Sequence, residues 1–180
     1  MKSIKQNTVY AFIDSQNLNL GIRSLGCNLD FKRFRVYLKD KYDVKKAFLF
    51  IGYIPKNRNL YNHLQSSGYE LVFKTTVKDN RGKPKGNVDA ELIVWAMRSV
   101  YEKICDKVII VSGDGDFAVL ADFLLEKNKL LNFIAPNYKS MSILIKKTFS
   151  KKKKMSLLSS LNNEKGKLEI KKPLYRSGNR

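Results

Sequence analysis

Apolar residues along this chain follow two alternating rhythms. Short continuous runs such as Val9-Tyr10-Ala11-Phe12-Ile13, Ala47-Phe48-Leu49-Phe50-Ile51 and Val108-Ile109-Ile110-Val111 are rich in β-branched and aromatic side chains. Runs of this length and kind predict strands buried on both faces. Elsewhere apolar positions recur every three or four residues, as in Phe31, Phe34, Tyr37 and Leu38 or in Leu92, Ile93, Ala96, Met97 and Val100. That period predicts helices with one inward face. Strands are expected at 8–13, 44–54, 69–77, 107–112 and 129–134, and helices at 15–25, 31–42, 58–67, 88–102, 116–127 and 139–149. Asp30 caps the second helix, Gly68 ends the third, and Pro55 breaks the second strand. The polar stretch 78–87, with two glycines and a proline, reads as a loop.

Strands spaced by helices of this length imply right-handed crossovers and a parallel sheet covered on both faces. The expectation is a three-layer α/β sandwich with a mostly parallel sheet of about five strands, forming one domain over residues 1–149. Residues 150–180 read as a basic C-terminal arm, partly disordered or packed on the domain. It opens with Lys151, Lys152, Lys153 and Lys154, continues through Met155, Leu157, Leu158 and Leu161, and ends in the basic stretch Lys171 to Arg180. No internal repeat is visible.

Charge changes this picture more than size does. The 180 residues carry 35 Lys and Arg against 16 Asp and Glu, a net charge of +19. Residues 146–180 hold +10 of it, so the remaining 145 residues are basic as well, at +9. A field of this sign attracts polyanions, and nucleic acid is the commonest. The competing use of such a surface is solubility alone. The tail lacks a strong amphipathic helix, and no apolar stretch approaches the roughly 20 residues that cross a bilayer, so no membrane partner is expected. The N-terminal residues run straight into a strand pattern without a signal peptide. Cys27 and Cys105 lie far apart, and His63 is the single histidine. This argues against a structural zinc site and for reduced thiols in a cytoplasmic protein.

On so basic a chain, four acids stand out. Asp14 ends the first strand, Asp114 and Asp116 follow the fourth within Ser112-Gly113-Asp114-Gly115-Asp116-Phe117, and Asp89 follows the segment Lys83-Pro84-Lys85-Gly86-Asn87. Ligands of open parallel sheets bind outside the carboxyl ends of the strands. If the first and fourth strands are neighbours, three of these acids meet at one edge. Asp89 stands three and four residues before Leu92 and Ile93, which puts it on the inward face at the start of its helix. Each acid has an ordinary use as a helix cap or a dipole partner. Capping supplies one acid per helix, however, and leaves Asp114 with Asp116 and the inward Asp89 unexplained. Clustered carboxylates repel unless a cation sits among them, and an all-oxygen donor set selects Mg2+ or Mn2+.

Three segments in order resemble the NYN domain, a branch of the PIN-like nuclease superfamily. They are Phe12-Ile13-Asp14-Ser15-Gln16-Asn17, Lys85-Gly86-Asn87-Val88-Asp89-Ala90-Glu91-Leu92 and Val111-Ser112-Gly113-Asp114-Gly115-Asp116-Phe117, spanning residues 8–135. The resemblance implies a PIN-like fold and a metal-dependent ribonuclease. It also implies Asp14, Asp89, Asp114 and Asp116 as metal-binding acids, Asn17 and Ser112 as polar helpers, and a 5′-phosphate product. One position departs from it: many relatives carry a further acid six residues after the one matching Asp89, and here that residue is Trp95. Packing is the ordinary use of so large an aromatic.

Together these readings predict hydrolysis of RNA phosphodiester bonds by a metal-activated water, on single-stranded or structured RNA. Arg81, Lys83 and Lys85 of the loop and Lys151 to Lys154 of the tail would grip the backbone. Tyr53, Tyr61 and Tyr138 would either stack on bases or pack. A homodimer is left open. The competing reading is a catalytically weak or inactive RNA-binding or adaptor protein on the same fold. A haloacid dehalogenase-type phosphatase fits less well, since it needs an acid two residues after its nucleophilic Asp, and Gln16 occupies that place after Asp14.

Overall fold

The computed structural model describes residues 7–73, 77–78, 84–85 and 88–170. In chain order the elements are β1 (Val9–Asp14), α1 (Ser15–Arg23), α2 (Phe31–Tyr42), β2 (Val44–Ile51), α3 (Arg58–Ser66), β3 (Glu70–Phe73), β4 (Val77–Lys78) and β5 (Pro84–Lys85). They continue with α4 (Val88–Tyr101), β6 (Lys107–Val111), α5 (Ala118–Glu126), β7 (Leu130–Ala135), α6 (Ile143–Lys151), β8 (Leu158–Ser160) and α7 (Lys165–Leu168). Six strands form one sheet in the order β3-β2-β1-β6-β7-β8, every neighbouring pair parallel. The chain builds outward from β1 to one side and then returns to β6 to build the other. The gap between β1 and β6 is therefore the topological switch point, where ligands bind in open α/β sheets.

Strand alternation sorts the core into two layers. Tyr10 and Phe12 of β1, with Phe48, Phe50, Val108, Ile110 and Phe133, face Leu92 and Ala96 of α4, Leu120 and Leu124 of α5, and Ile145 and Phe149 of α6. Val9, Ala11 and Ile13, with Leu49, Ile109, Val111 and Ile134, face Leu18 and Ile22 of α1, Phe34 and Leu38 of α2, Leu64 of α3 and Leu168 of α7. Continuous burial of the six β1 residues is what the unbroken apolar run predicted. The punctuation also holds. Asp30 accepts the Arg33 N–H at 3.1 Å as the α2 cap, and Gly68, at φ +91, carries the chain out of α3.

Several boundaries differ from expectation: β2, expected to run to Ile54, ends at Ile51, and others follow partners or caps that the pattern does not show. The described part of β3, Glu70–Phe73, pairs with Phe48 to Ile51 of β2, and residues 74–76 of the expected strand lie outside the described residues. Val77–Lys78 pairs antiparallel with Pro84–Lys85, so a short ribbon falls largely within the expected 78–87 loop. The last long helix starts at Ile143 because the Ser142 hydroxyl accepts the Leu144 N–H. Beyond it, Leu158–Ser160 adds a sixth strand to the expected five, pairing with Phe133 to Ala135 of β7. Leu161 and Leu168 then bury against the sheet. Among the described residues, no helix is long and apolar enough to cross a membrane.

Candidate active site

The register fixes the site. Ile13 lies opposite Val111, so Asp14 and Ser112, each one residue further on, come level at the switch point. The Ser112 hydroxyl donates to Asp14 Oδ2 at 3.3 Å and accepts the Asp114 N–H at 3.2 Å. Asn17, one turn into α1, accepts the Gly113 N–H on Oδ1 at 2.7 Å. Asn17 and Ser112 thus tie the end of β1 to the turn after β6. That turn is tight: a Cβ on Gly115 would stand 2.5 Å from Ser142 Oγ, the oxygen that caps α6.

Both capping expectations are met. Asp14 Oδ1 accepts the Asn17 N–H at 3.1 Å, and Asp114 Oδ1 accepts the Asp116 N–H at 3.1 Å at the head of a 3₁₀ turn, Gly115–Phe117. Asp14 is nevertheless unusual for a cap, being only 6% exposed. Burial pushes its carboxyl above the ordinary value of 3.8, and the charge on Asp114 pushes the same way. The N–H groups of Asn17 and Gln16 and the Ser112 hydroxyl pull partly back. Capping requires a small oxygen acceptor but no buried charge.

The other two acids flank this pair. Asp116 is exposed, and Asp89 is half-buried in the first turn of α4, a helix packed against β1 and the 3₁₀ turn. The four acids do not close on a common point: among the described residues, no three His, Cys, Asp or Glu side chains are grouped to hold an ion. Asp14 and Asp114 each spend an oxygen on a cap, and like charges gain nothing by converging. The donor set still fits Mg2+ or Mn2+, which keep several waters and take one or two carboxylates plus substrate phosphate.

The cations predicted to bind RNA are distributed differently. Arg81 and Lys83 lie outside the described residues, as does the side chain of Lys85. Ser142, at the head of α6, sits against Gly113. Lys151 to Lys154 follow the other end of that helix, roughly 13 Å away at 1.5 Å per residue. Lys152 is already bridged to Asp122 and Glu126. Trp95 is 42% exposed and packs its ring on Phe48 and Phe50, at 5.4 and 6.4 Å between centroids. Phe50 is the residue opposite Asp14 on β2, so the indole fills space under the acid edge. Tyr61 is buried and Tyr138 half-exposed, with Lys146 Nζ 4.4 Å from the Tyr138 ring centre.

Sequence reasoning passed over one feature. Beside Asp14 a cleft of about 460 Å³ opens between α1 and the segment joining β2 to α3, and Gln16, Asn19, Arg23 and Asn57 line it. Gln16, Asn19 and Arg23 are three and four residues apart, a shared helix face. That polar stripe was the available signal.

A family model for the NYN domain matches residues 8–151. Among solved structures, a protein of unknown function from Vibrio parahaemolyticus RIMD 2210633 is similar, with a TM-score of 0.71 at 21% identity. The match covers 94% of this chain and 100% of that one. At that identity the likeness concerns the fold alone. No curated protein matches this chain.

Proposed function

Since the chain belongs to the NYN domain family, whose members generally hydrolyse RNA and usually use divalent metals, we propose that it is a metal-dependent ribonuclease acting at the β1–β6 switch point. One observation carries this reading. Asp14 is a buried carboxylate at the end of the central strand, held beside Asp114, with its pKa raised by burial and by that neighbour. A fold keeps a charge in so costly a place when a cation or a reacting group completes it.

In this reading Asp14 and Asp114 hold Mg2+ or Mn2+, with Asp89 and Asp116 flanking them. When bound, the ion offsets the carboxylate charge and supplies Lewis acidity for a phosphodiester oxygen. The remaining work belongs to the chain. Ser112 bridges Asp14 to the Asp114 backbone, and Asn17 anchors Gly113, so both acids sit on a pre-set frame and need no reorganisation during reaction. The basic surface draws in the polyanion and holds its backbone with little reading of sequence.

The test is cleavage of end-labelled RNA by purified protein in Mn2+. Asp14→Asn and Asp114→Asn are each expected to lower the rate by about 100-fold or more. Wild-type protein that leaves varied RNAs intact, or variants that cut as well as wild type, would overturn the proposal. A specific observation favours the second reading, RNA binding without efficient cleavage: Trp95 packs where relatives often carry a further acid, and no three acids converge among the described residues. RNA binding without cleavage in the same assay would select it.

A further inference from the structure

The cleft beside Asp14 has the chemistry of a nucleobase site. Its volume of about 460 Å³ falls within the ordinary span of small-ligand sites, about 300–1,000 Å³. Phe31, Ile54 and Leu60 contribute accessible apolar surface, suited to the faces of a planar ring. The polar groups of Gln16, Asn19, Asn57 and Arg23 lie along the same walls. None of the four side chains makes a hydrogen bond or ion pair among the described residues. This contrasts with Asn17, Asn132 and Asn137, whose amides are bound to Gly113, Ser159 and Ser24. An amide offers a donor and an acceptor together, the pairing that the Watson–Crick edge of a base presents.

A second feature adjoins the cleft. Tyr53 lies between two of its lining residues, Gly52 and Ile54, and is 53% exposed. Its ring stacks on Tyr61 at 5.8 Å and 23° and meets the edge of Phe73 at 5.4 Å. Tyr61 is itself fixed, because its hydroxyl accepts the Ile54 N–H at 2.7 Å and reaches the Gly52 carbonyl at 3.1 Å. The exposed ring therefore rests on a rigid support. A platform of this kind holds a base at small entropic cost.

We propose that the cleft takes one unpaired base of a single-stranded RNA beside the scissile phosphodiester, and that Tyr53 stacks the adjacent base. This rests on the ribonuclease reading for the identity of the polymer. It adds to that reading the residues that would recognise an unpaired base. Paired bases cannot enter, because their edges and faces are already occupied.

The experiment uses full-length protein in EDTA and fluorescence anisotropy with three labelled probes: a single-stranded RNA, the same length of RNA duplex, and an abasic strand. Tyr53→Ala is expected to weaken single-strand binding by about 5- to 100-fold. Asn19→Ala combined with Asn57→Ala is expected to weaken it by about 3- to 10-fold. Neither change should move duplex or abasic binding by more than about twofold, and retained melting transitions show that the variants fold. The proposal is overturned if the variants bind the single strand like wild type, or if wild type binds the abasic strand as tightly as RNA. Its failure is separable from that of the nuclease reading. Base-dependent binding without cleavage keeps the cleft and removes the nuclease, whereas cleavage with indifferent variants does the reverse.

Discussion

Two aspartates begin two helices of this molecule with the same bond and different surroundings. Asp14 caps α1 and Asp30 caps α2, each accepting a backbone N–H three residues on at 3.1 Å. Asp30 keeps partial contact with solvent and meets the Arg33 guanidinium at 3.3 Å. Asp14 is buried, and the charge beside it is another carboxylate. The cap explains everything about Asp30 and only half of Asp14. A residue that satisfies a local rule and still incurs a cost invites a second assignment, and the proposed reading assigns Asp14 to a ligand at the switch point.

The comparison breaks most readily at serine, which caps helices as well as aspartate does. Asp30→Ser is expected to leave RNA cleavage within about twofold of wild type, since surface changes away from a site have small effects. Asp14→Ser keeps the cap and loses the carboxylate, so cleavage should fall by about 100-fold or more. Equal activity in the two variants, read from initial rates on one RNA, would make Asp14 a cap like the other.

Stability sharpens the same contrast with smaller numbers. In metal-free protein Asp14→Asn should raise Tm by about 2–4 °C, the shift that about 1 kcal/mol produces at this chain length. It removes a buried charge and keeps an oxygen for the Asn17 N–H. The sign follows from linkage. The folded pKa of Asp14 lies above the ordinary 3.8, so the folded state holds this proton more tightly. The associated stability is fully present below 3.8 and is lost as pH rises through the folded value. The gap between Asp14→Asn and wild type should therefore widen from about pH 4 to about pH 7 in urea titrations. Excess Mn2+ should narrow it at neutral pH by binding wild type alone. A gap that shrinks as pH rises would contradict the burial of this charge.

The acid edge was legible because each of its parts is a local pattern. The apolar runs before Asp14 and Ser112 mark strand ends, and Asp114 follows Ser112 closely enough to share its turn. What stayed hidden depended on partners distant in sequence. Leu158–Ser160 is a three-residue strand after four lysines, and only its register with Phe133 to Ala135 reveals it. The cleft joins Asn57 to the stripe of Gln16, Asn19 and Arg23 across α1 and the approach to α3, which lie 34 or more residues apart in sequence. Shared metal ligation is likewise a matter of side-chain distance: Ser112 links Asp14 to Asp114, while among the described residues no three acids are grouped.

The smallest expected effect concerns the lysine tract after α6, where cations repeat the lesson of the two caps. Lys151, Lys152, Lys153 and Lys154 are one tract in sequence but not in surroundings. Lys152 is bridged to Asp122 and Glu126, and hydrogen bonding to Glu126 raises its pKa. Lys153 and Lys154 are exposed and form no ion pair among the described residues. A lysine whose charge is already matched gains little by meeting a phosphate, since leaving its acids exposes them to the same polyanion. If the tract touches the RNA backbone, Lys153→Ala and Lys154→Ala should each reduce the slope of log affinity against log salt by up to about 0.7, the value of one single-strand phosphate contact. Lys152→Ala should leave the slope unchanged or raise it, because it frees two acids beside the strand. Equal reductions from all three substitutions would mean that the tract acts as an undivided block of charge.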